Sequence, residues 1–109
     1  MGKPVIGDIV VLPFPQTNLQ SGKRRPALVV ADLPGDDLVL CQITTQPRAD
    51  MYAVVVTSAD LEHGQLAVDS YARAGRLFTV DKSVILYTAA KVRPAKLQEV
   101  RMKLRQLLS

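Results

Sequence analysis

A small, mainly β fold is predicted for this chain: a compact antiparallel, barrel-like sheet with one helix packed at its C-terminal end. Three features of the sequence point there. The first is a series of short apolar runs, β-branched in part, punctuated by Pro, Gly, Asn and Asp. The second is that helical periodicity is clear only once, after Pro94, where Leu97, Val100, Leu104, Leu107 and Leu108 share a face. The third is size: 109 residues, 48% of them hydrophobic, suffice for one core and not for two, so the chain reads as a single domain over 1–109.

Taken in order, Gly7-Asp8 leads into Ile9–Leu12, a short strand expected to stop at Pro13 and Pro15, which lack the N–H a ladder needs. Residues 13–25, with Gln16, Thr17, Asn18, Ser21 and Gly22, read as a long loop. Ala27–Ala31 is continuously apolar and is expected as a strand covered on both faces. Leu33-Pro34-Gly35-Asp36-Asp37 is a turn that returns the chain as a hairpin partner over Leu38–Thr45. Gln46–Asp50 breaks the pattern and Tyr52–Thr57 resumes it. Asp60–Gln65 reads as a turn or one helical turn. From Leu66 to Val84 the pattern weakens; Leu77–Val80 has strand composition and Val84–Tyr87 suits a further short strand. Pro94 then opens the helix, because the first helical position has no N–H partner to lose. Cys41 is expected in the core, and Asp69 and Asp81 as turn or cap residues.

The net charge of +4 is uneven: residues 91–109 hold six cations against Glu99 alone, which leaves the remainder at −1. Such a surplus suits a polyanionic partner and equally suits plain solubility. A sharper signal is the cluster Lys23-Arg24-Arg25, placed directly before Pro26 and an apolar run. Mutual repulsion there gives the fold nothing, so the cluster is either solvated loop charge or the place where something anionic is met.

Several classes fall away. One cysteine excludes an internal disulfide and, with no signal-peptide pattern in MGKPVIGD, points to the cytoplasm. No apolar run approaches the ~20 residues that cross a bilayer, so no membrane association is expected. One cysteine and one histidine, His63, cannot alone make a zinc site, and His63 suits an exposed turn. No glycine-rich phosphate loop, dinucleotide fingerprint or bracketed serine nucleophile occurs, so neither metal nor cofactor is expected.

Three stretches, in this order, resemble the MazF/PemK-like toxin endoribonucleases of type II toxin–antitoxin systems. They are GDIVVLPFPQTNLQSGKRRPALVV (Gly7–Val30), CQITTQ (Cys41–Gln46) and DSYARAGRLFTVDKS (Asp69–Ser83). With the terminal helix the likeness spans nearly the whole chain. It implies an SH3-like antiparallel β-barrel of the MazF/CcdB type with a C-terminal α-helix, assembled as a homodimer. It also implies sequence-specific, metal-independent cleavage of single-stranded RNA, blocked by a cognate antitoxin protein. Under that likeness Arg25 and Thr44 match the catalytic arginine and threonine, and Arg73 matches an arginine used in part of the family. Lys23, Arg24, Gln46, Ser70 and Thr79 lie in matching segments and are expected to bind RNA. One departure stands out: where many members carry Asp or Glu after the position of Ala74, this chain has Gly75.

Metal-free cleavage of this kind has the 2′-hydroxyl attack the adjacent phosphorus. It needs a proton acceptor, charge to stabilise the phosphorane and a proton for the leaving 5′ oxygen. Arginine suits the second task, because its planar fork contacts two phosphate oxygens where lysine offers a point charge. As a proton acceptor Arg25 is poor. A rival reading is a non-enzymatic homologue on the same barrel, one that sequesters an antitoxin or binds a protein target such as gyrase. Gly75 favours the rival; Arg25, Thr44 and the long loop favour the enzyme.

Overall fold

The computed structural model describes residues 3–14, 23–46 and 49–109, with the side chain of Lys23 outside that description. Seven strands form one curled antiparallel sheet: β1 (Asp8–Phe14), β2 (Lys23–Asp32), β3 (Asp37–Thr44), β4 (Ala53–Val56), β5 (Leu61–Gly64), β6 (Ser70–Asp81) and β7 (Tyr87–Val92). Among the described residues one α-helix, α1 (Pro94–Leu108), follows the strands. The strand order β4-β6-β3-β2-β1-β7-β5 leaves β4 and β5 as edges, so the expected barrel is a half-barrel.

Side-chain alternation divides this sheet into two apolar faces. One carries Ile9, Leu28, Cys41, Ile43, Val54 and Ala72 and is closed by Val100, Leu97 and Leu104 of α1. The other carries Val10, Leu12, Ala27, Val29, Leu38 and Leu40, with Phe14, Phe78 and Val80 packed against them. Cys41 is in the core as expected, and burial pushes its thiol up to about 12.

Four expectations need correction. The cations do not sit in a loop: β2 begins at Lys23, and Arg24 and Arg25 pair with Pro13 and Leu12 of β1. Pro13 does not stop β1 either. Pairing with β7 ends at Val11, so at Pro13 the strand has one neighbour and its missing N–H interrupts nothing. Pro26 is tolerated likewise, since the β2–β3 ladder starts at Ala27. Of the expected long loop, residues 15–22 lie outside the described part. Asp60–Gln65, expected as a turn or one helical turn, is mostly edge strand β5, on which His63 is exposed, and the 3₁₀ turn, Ser58–Asp60, precedes it. Where Val84–Tyr87 was expected as a strand, a 3₁₀ turn at Lys82–Val84 precedes β7, whose pairing runs on to Val92. Asp81 caps that turn by accepting from the Ser83 N–H at 2.8 Å.

The helix is locked by charge as well as by leucine. Lys96 is buried, with Nζ 3.6 Å from Asp60 and 3.1 Å from Glu99. It is therefore not one of the solvated cations of the basic tail. Burial alone would raise the Asp60 carboxyl. The Thr57 N–H and hydroxyl and the Lys96 ammonium outweigh that and hold it below the usual carboxylate range. The Asp60 carbonyl also accepts the Arg93 N–H at 2.8 Å, which fixes the entry into α1.

Two predictions follow from this packing. Gly64 lies at φ +80°, and a Cβ there would overlap the Ala89 carbonyl oxygen and sit 2.6 Å from Ala90 Cα. Gly64→Ala should therefore cost more than about 2 kcal/mol in chemical denaturation, as the β5–β7 edge parts. The second concerns acid. A folded carboxyl below its unfolded value of 3.8 gives stability that is complete above that value. The contribution is lost as pH falls through the folded value. The melting-temperature gap between wild type and Asp60→Asn should thus be widest near neutrality and close as pH drops below about 4. A gap that stays constant to pH 2.5 would place the origin elsewhere.

Candidate functional site

On the face of the sheet away from α1 lies an open groove of about 970 Å³, whose polar lining includes Arg25, Gln42, Thr44, Gln46, Arg73 and Arg76. Leu12, Phe14, Leu77, Phe78, Val80 and Val84 contribute apolar lining. Phe14 and Phe78 meet edge to face at 5.1 Å between ring centroids.

The polar lining is a product of register. Ala27 pairs with Gln42, which pairs in turn with Arg73, so β2, β3 and β6 present one row across the sheet. Continuing the β2–β3 register two residues toward the strand ends sets Arg25 level with Thr44. On β3, Gln42 and Thr44 share the face of Leu38 and Leu40, while Cys41 and Ile43 point into the α1 side.

Strand β6 should break this arrangement, because Ala72 faces α1 and an uninterrupted strand would send Phe78 and Val80 the same way. It does not. Between Cys41↔Leu77 and Gln42↔Arg73 the register slips, leaving Ala74, Gly75 and Arg76 without partners on β3. Three is an odd number, so the slip reverses the alternation and brings Arg73, Phe78 and Val80 to one groove.

The sequence-derived residues divide accordingly. Arg25, Thr44, Gln46, Arg73 and Thr79 all line the groove. Arg24 alternates with Arg25 along β2 and is exposed, outside the lining. Ser70 is not in the groove. It shares the α1-facing parity of Ala72, is 3% exposed, and its hydroxyl donates to the Val68 carbonyl at 3.0 Å. The backbone of Lys23 opens β2, and its side chain lies outside the described part.

Sequence reasoning missed Gln42, Arg76 and Asp50. Gln42 was legible as an alternate position of Leu38–Thr45. Arg76 enters only through the register slip. Asp50 is far from Arg73 in sequence, yet its Oδ2 accepts from Arg73 Nε at 2.9 Å. Those two side chains are 15% and 20% exposed. The hydrogen bond from Arg73, with another from the Tyr52 N–H, holds the Asp50 carboxyl below the usual range.

The groove's chemistry is one-sided. Arg25, Arg73 and Arg76 line it, with no Asp, Glu or His among the described lining residues. Among the described residues no cluster of His, Cys, Asp or Glu is arranged to hold a metal ion. Thr44 Oγ accepts the Gln46 N–H at 3.1 Å, which leaves its hydroxyl proton available to an anion in the groove. Gly75 lies exposed in the slip and outside the left-handed region, and a Cβ added there would meet nothing within 4 Å.

Known proteins bear on this arrangement. A solved MazE–MazF complex from Deinococcus radiodurans is similar over 100% of this chain and 98% of that one, at 25% identity and TM-score 0.77. An endoribonuclease from a mycobacterial species is similar over 99% and 93%, at 20% identity and TM-score 0.75. A mycobacterial endoribonuclease in complex with its cognate antitoxin is similar over 96% and 94%, at 19% identity and TM-score 0.74. At those last two identities the likeness speaks for the fold. No curated protein sequence matches the chain significantly. The family described as the PemK-like, MazF-like toxin of type II toxin–antitoxin systems matches residues 6–108, nearly end to end, and the chain belongs to it.

Proposed function

We propose that this toxin-family protein is an endoribonuclease that cleaves single-stranded RNA, at specific sequences and without a metal, in the arginine-lined groove. The observation that carries the reading is that Arg25, Thr44 and Arg73, on the adjacent strands β2, β3 and β6, line one groove with no acid among its described lining residues, in a chain of this family. The chain acts as one domain and as a cytoplasmic homodimer, with RNA running across the two subunits and a cognate antitoxin covering the same surface. Structural neighbours that are endoribonucleases or toxin–antitoxin complexes support both partners.

Chemically, the 2′ oxygen forms a bond to phosphorus while the bond from phosphorus to the 5′ oxygen breaks. A 2′,3′-cyclic phosphate and a 5′-hydroxyl result. Backbones of β2 and β6 lie about 10 Å apart across β3, within reach of two arginine arms converging on one phosphate. Arg25 and Arg73 then neutralise the two charges of the phosphorane, worth about 10²–10³-fold for each well-aimed donor. The Thr44 hydroxyl donates to a phosphoryl oxygen. The described lining residues offer the 2′ proton no carboxylate or imidazole acceptor, and Asp50 is committed to Arg73. That shortage is the one observation that favours the second reading, a non-enzymatic homologue that sequesters an antitoxin or binds a protein target.

Incubating pure protein with a long RNA in EDTA separates the two. Wild type should cut, and Arg25→Ala should lower the single-turnover rate by at least ~10²-fold. Its melting temperature should stay within about 3 °C, since Arg25 projects into the groove rather than into either core. Arg25→Lys should lose most activity too. Full activity in Arg25→Ala removes the central residue of this account, and a wild type inert on every RNA favours the non-enzymatic reading.

Gly75→Asp supplies a second test. With open space and no left-handed backbone, the variant should fold with unchanged stability. If the groove lacks a base, the new carboxylate should raise the single-turnover rate, up to ~10²-fold, and add a rising limb at its own pKa. A stably folded Gly75→Asp that is no faster shows that another group already takes the proton.

A further inference from the structure

We infer that Asp50 is a positioning residue for this groove: it grips the Arg73 guanidinium by Nε and so presents the terminal nitrogens to the phosphate. The inference rests on the RNA-cleaving reading given above. Of the three arginines lining the groove, Arg73 alone is paired with a carboxylate among the described residues. Among those residues its only hydrogen bond leaves from Nε, so the two-pronged end of the fork is uncommitted.

Asp50 is itself held firmly. Its Oδ1 accepts the Tyr52 N–H at 2.9 Å, and its carbonyl accepts the Ala53 N–H at 3.2 Å, closing a tight turn before β4. The Tyr52 carbonyl accepts the Ala74 N–H at 3.2 Å, tying that turn to the register slip next to Arg73 itself. Ala53 pairs directly with Arg73. Gripping point and gripped side chain therefore belong to one rigid corner, which is what a preorganised donor requires.

Charge gives the inference a distinctive signature. Asp50 offsets part of the Arg73 charge, so it works against raw attraction for RNA while it fixes the direction of the fork. Removing it should slow chemistry and leave binding equal or tighter. A residue that only supported the fold would weaken both. Asp50 does not serve as the base in this scheme, because its paired carboxylate is held ionised below the usual range and binds a proton poorly.

Asp50→Asn is the informative variant. It keeps one carbonyl oxygen for the Tyr52 N–H, so the turn stays closed, but loses the charge and the second acceptor that Arg73 Nε requires. The single-turnover rate on RNA should fall ~10-fold or more, as expected for a misdirected catalytic donor. Affinity for the same RNA bearing 2′-O-methyl groups, which cannot attack, should be unchanged or higher. The Arg73 Nε–H resonance should move upfield in the variant, a readout independent of cleavage. On an Arg73→Ala background, Asp50→Asn should cause no further loss. An Asp50→Asn protein as fast as an active wild type overturns the inference alone, as does an equal loss on the Arg73→Ala background. A wild type that cuts no RNA overturns the groove reading, and this inference with it.

Discussion

The slip of three residues between β3 and β6 is the constraint on which the groove depends. A strand sends alternate side chains to opposite faces, and β6 must serve two masters. Its first half needs Ala72 in the core under α1, and its second half needs Phe78 and Val80 on the other face. Only an odd insertion reconciles these, and Ala74–Arg76 provides it. The same slip releases Arg76 from pairing, sets Arg73 beside Gln42, and offers its Ala74 N–H to the turn that carries Asp50. Gly75 lies in the middle of it.

The other face answers a different need. Leu97, Val100 and Leu104 cover it, and the buried Lys96 with Asp60 and Glu99 fixes the angle of the helix. Burying an ammonium is costly unless it is paired, so this cluster contributes more to a fixed orientation than to net stability. The groove side has an apolar cluster of its own, around Leu38 and Leu40 and packed by Phe14, Phe78 and Val80, and Arg25, Arg73 and Arg76 belong to neither core.

Much of this was legible in the residues. Helix α1 announced itself by Pro94 and its leucine spacing, and the β3 face by the alternation from Leu38 to Thr44. Ordered motifs identified the family and five of the groove residues. What the sequence hid follows from pairing at a distance. Pro13 and the three cations looked like loop because local rules assign proline and repelling charge to loops. Here they form a two-stranded extension in which each proline lacks a neighbour on one side. The weak pattern over Leu66–Val84 was the register slip itself, whose two halves obey opposite parity and blur any single period. Ser70 was misplaced for that reason, since its motif named the residue and only strand parity reveals its face. Asp50, separated from the strand of Arg73 by two other strands and a 3₁₀ turn, had no local signal at all.

The account's central claim is that this groove directs an RNA 2′-hydroxyl onto the adjacent phosphate, with arginines rather than a metal carrying the developing charge. Mass spectrometry of the fragments made by pure protein in excess EDTA tests it most directly. The account predicts a 2′,3′-cyclic phosphate, or the 3′-phosphate formed when it opens, opposite a 5′-hydroxyl. Fragments bearing a 5′-phosphate and a 3′-hydroxyl would show that water is the attacking group, and would contradict it.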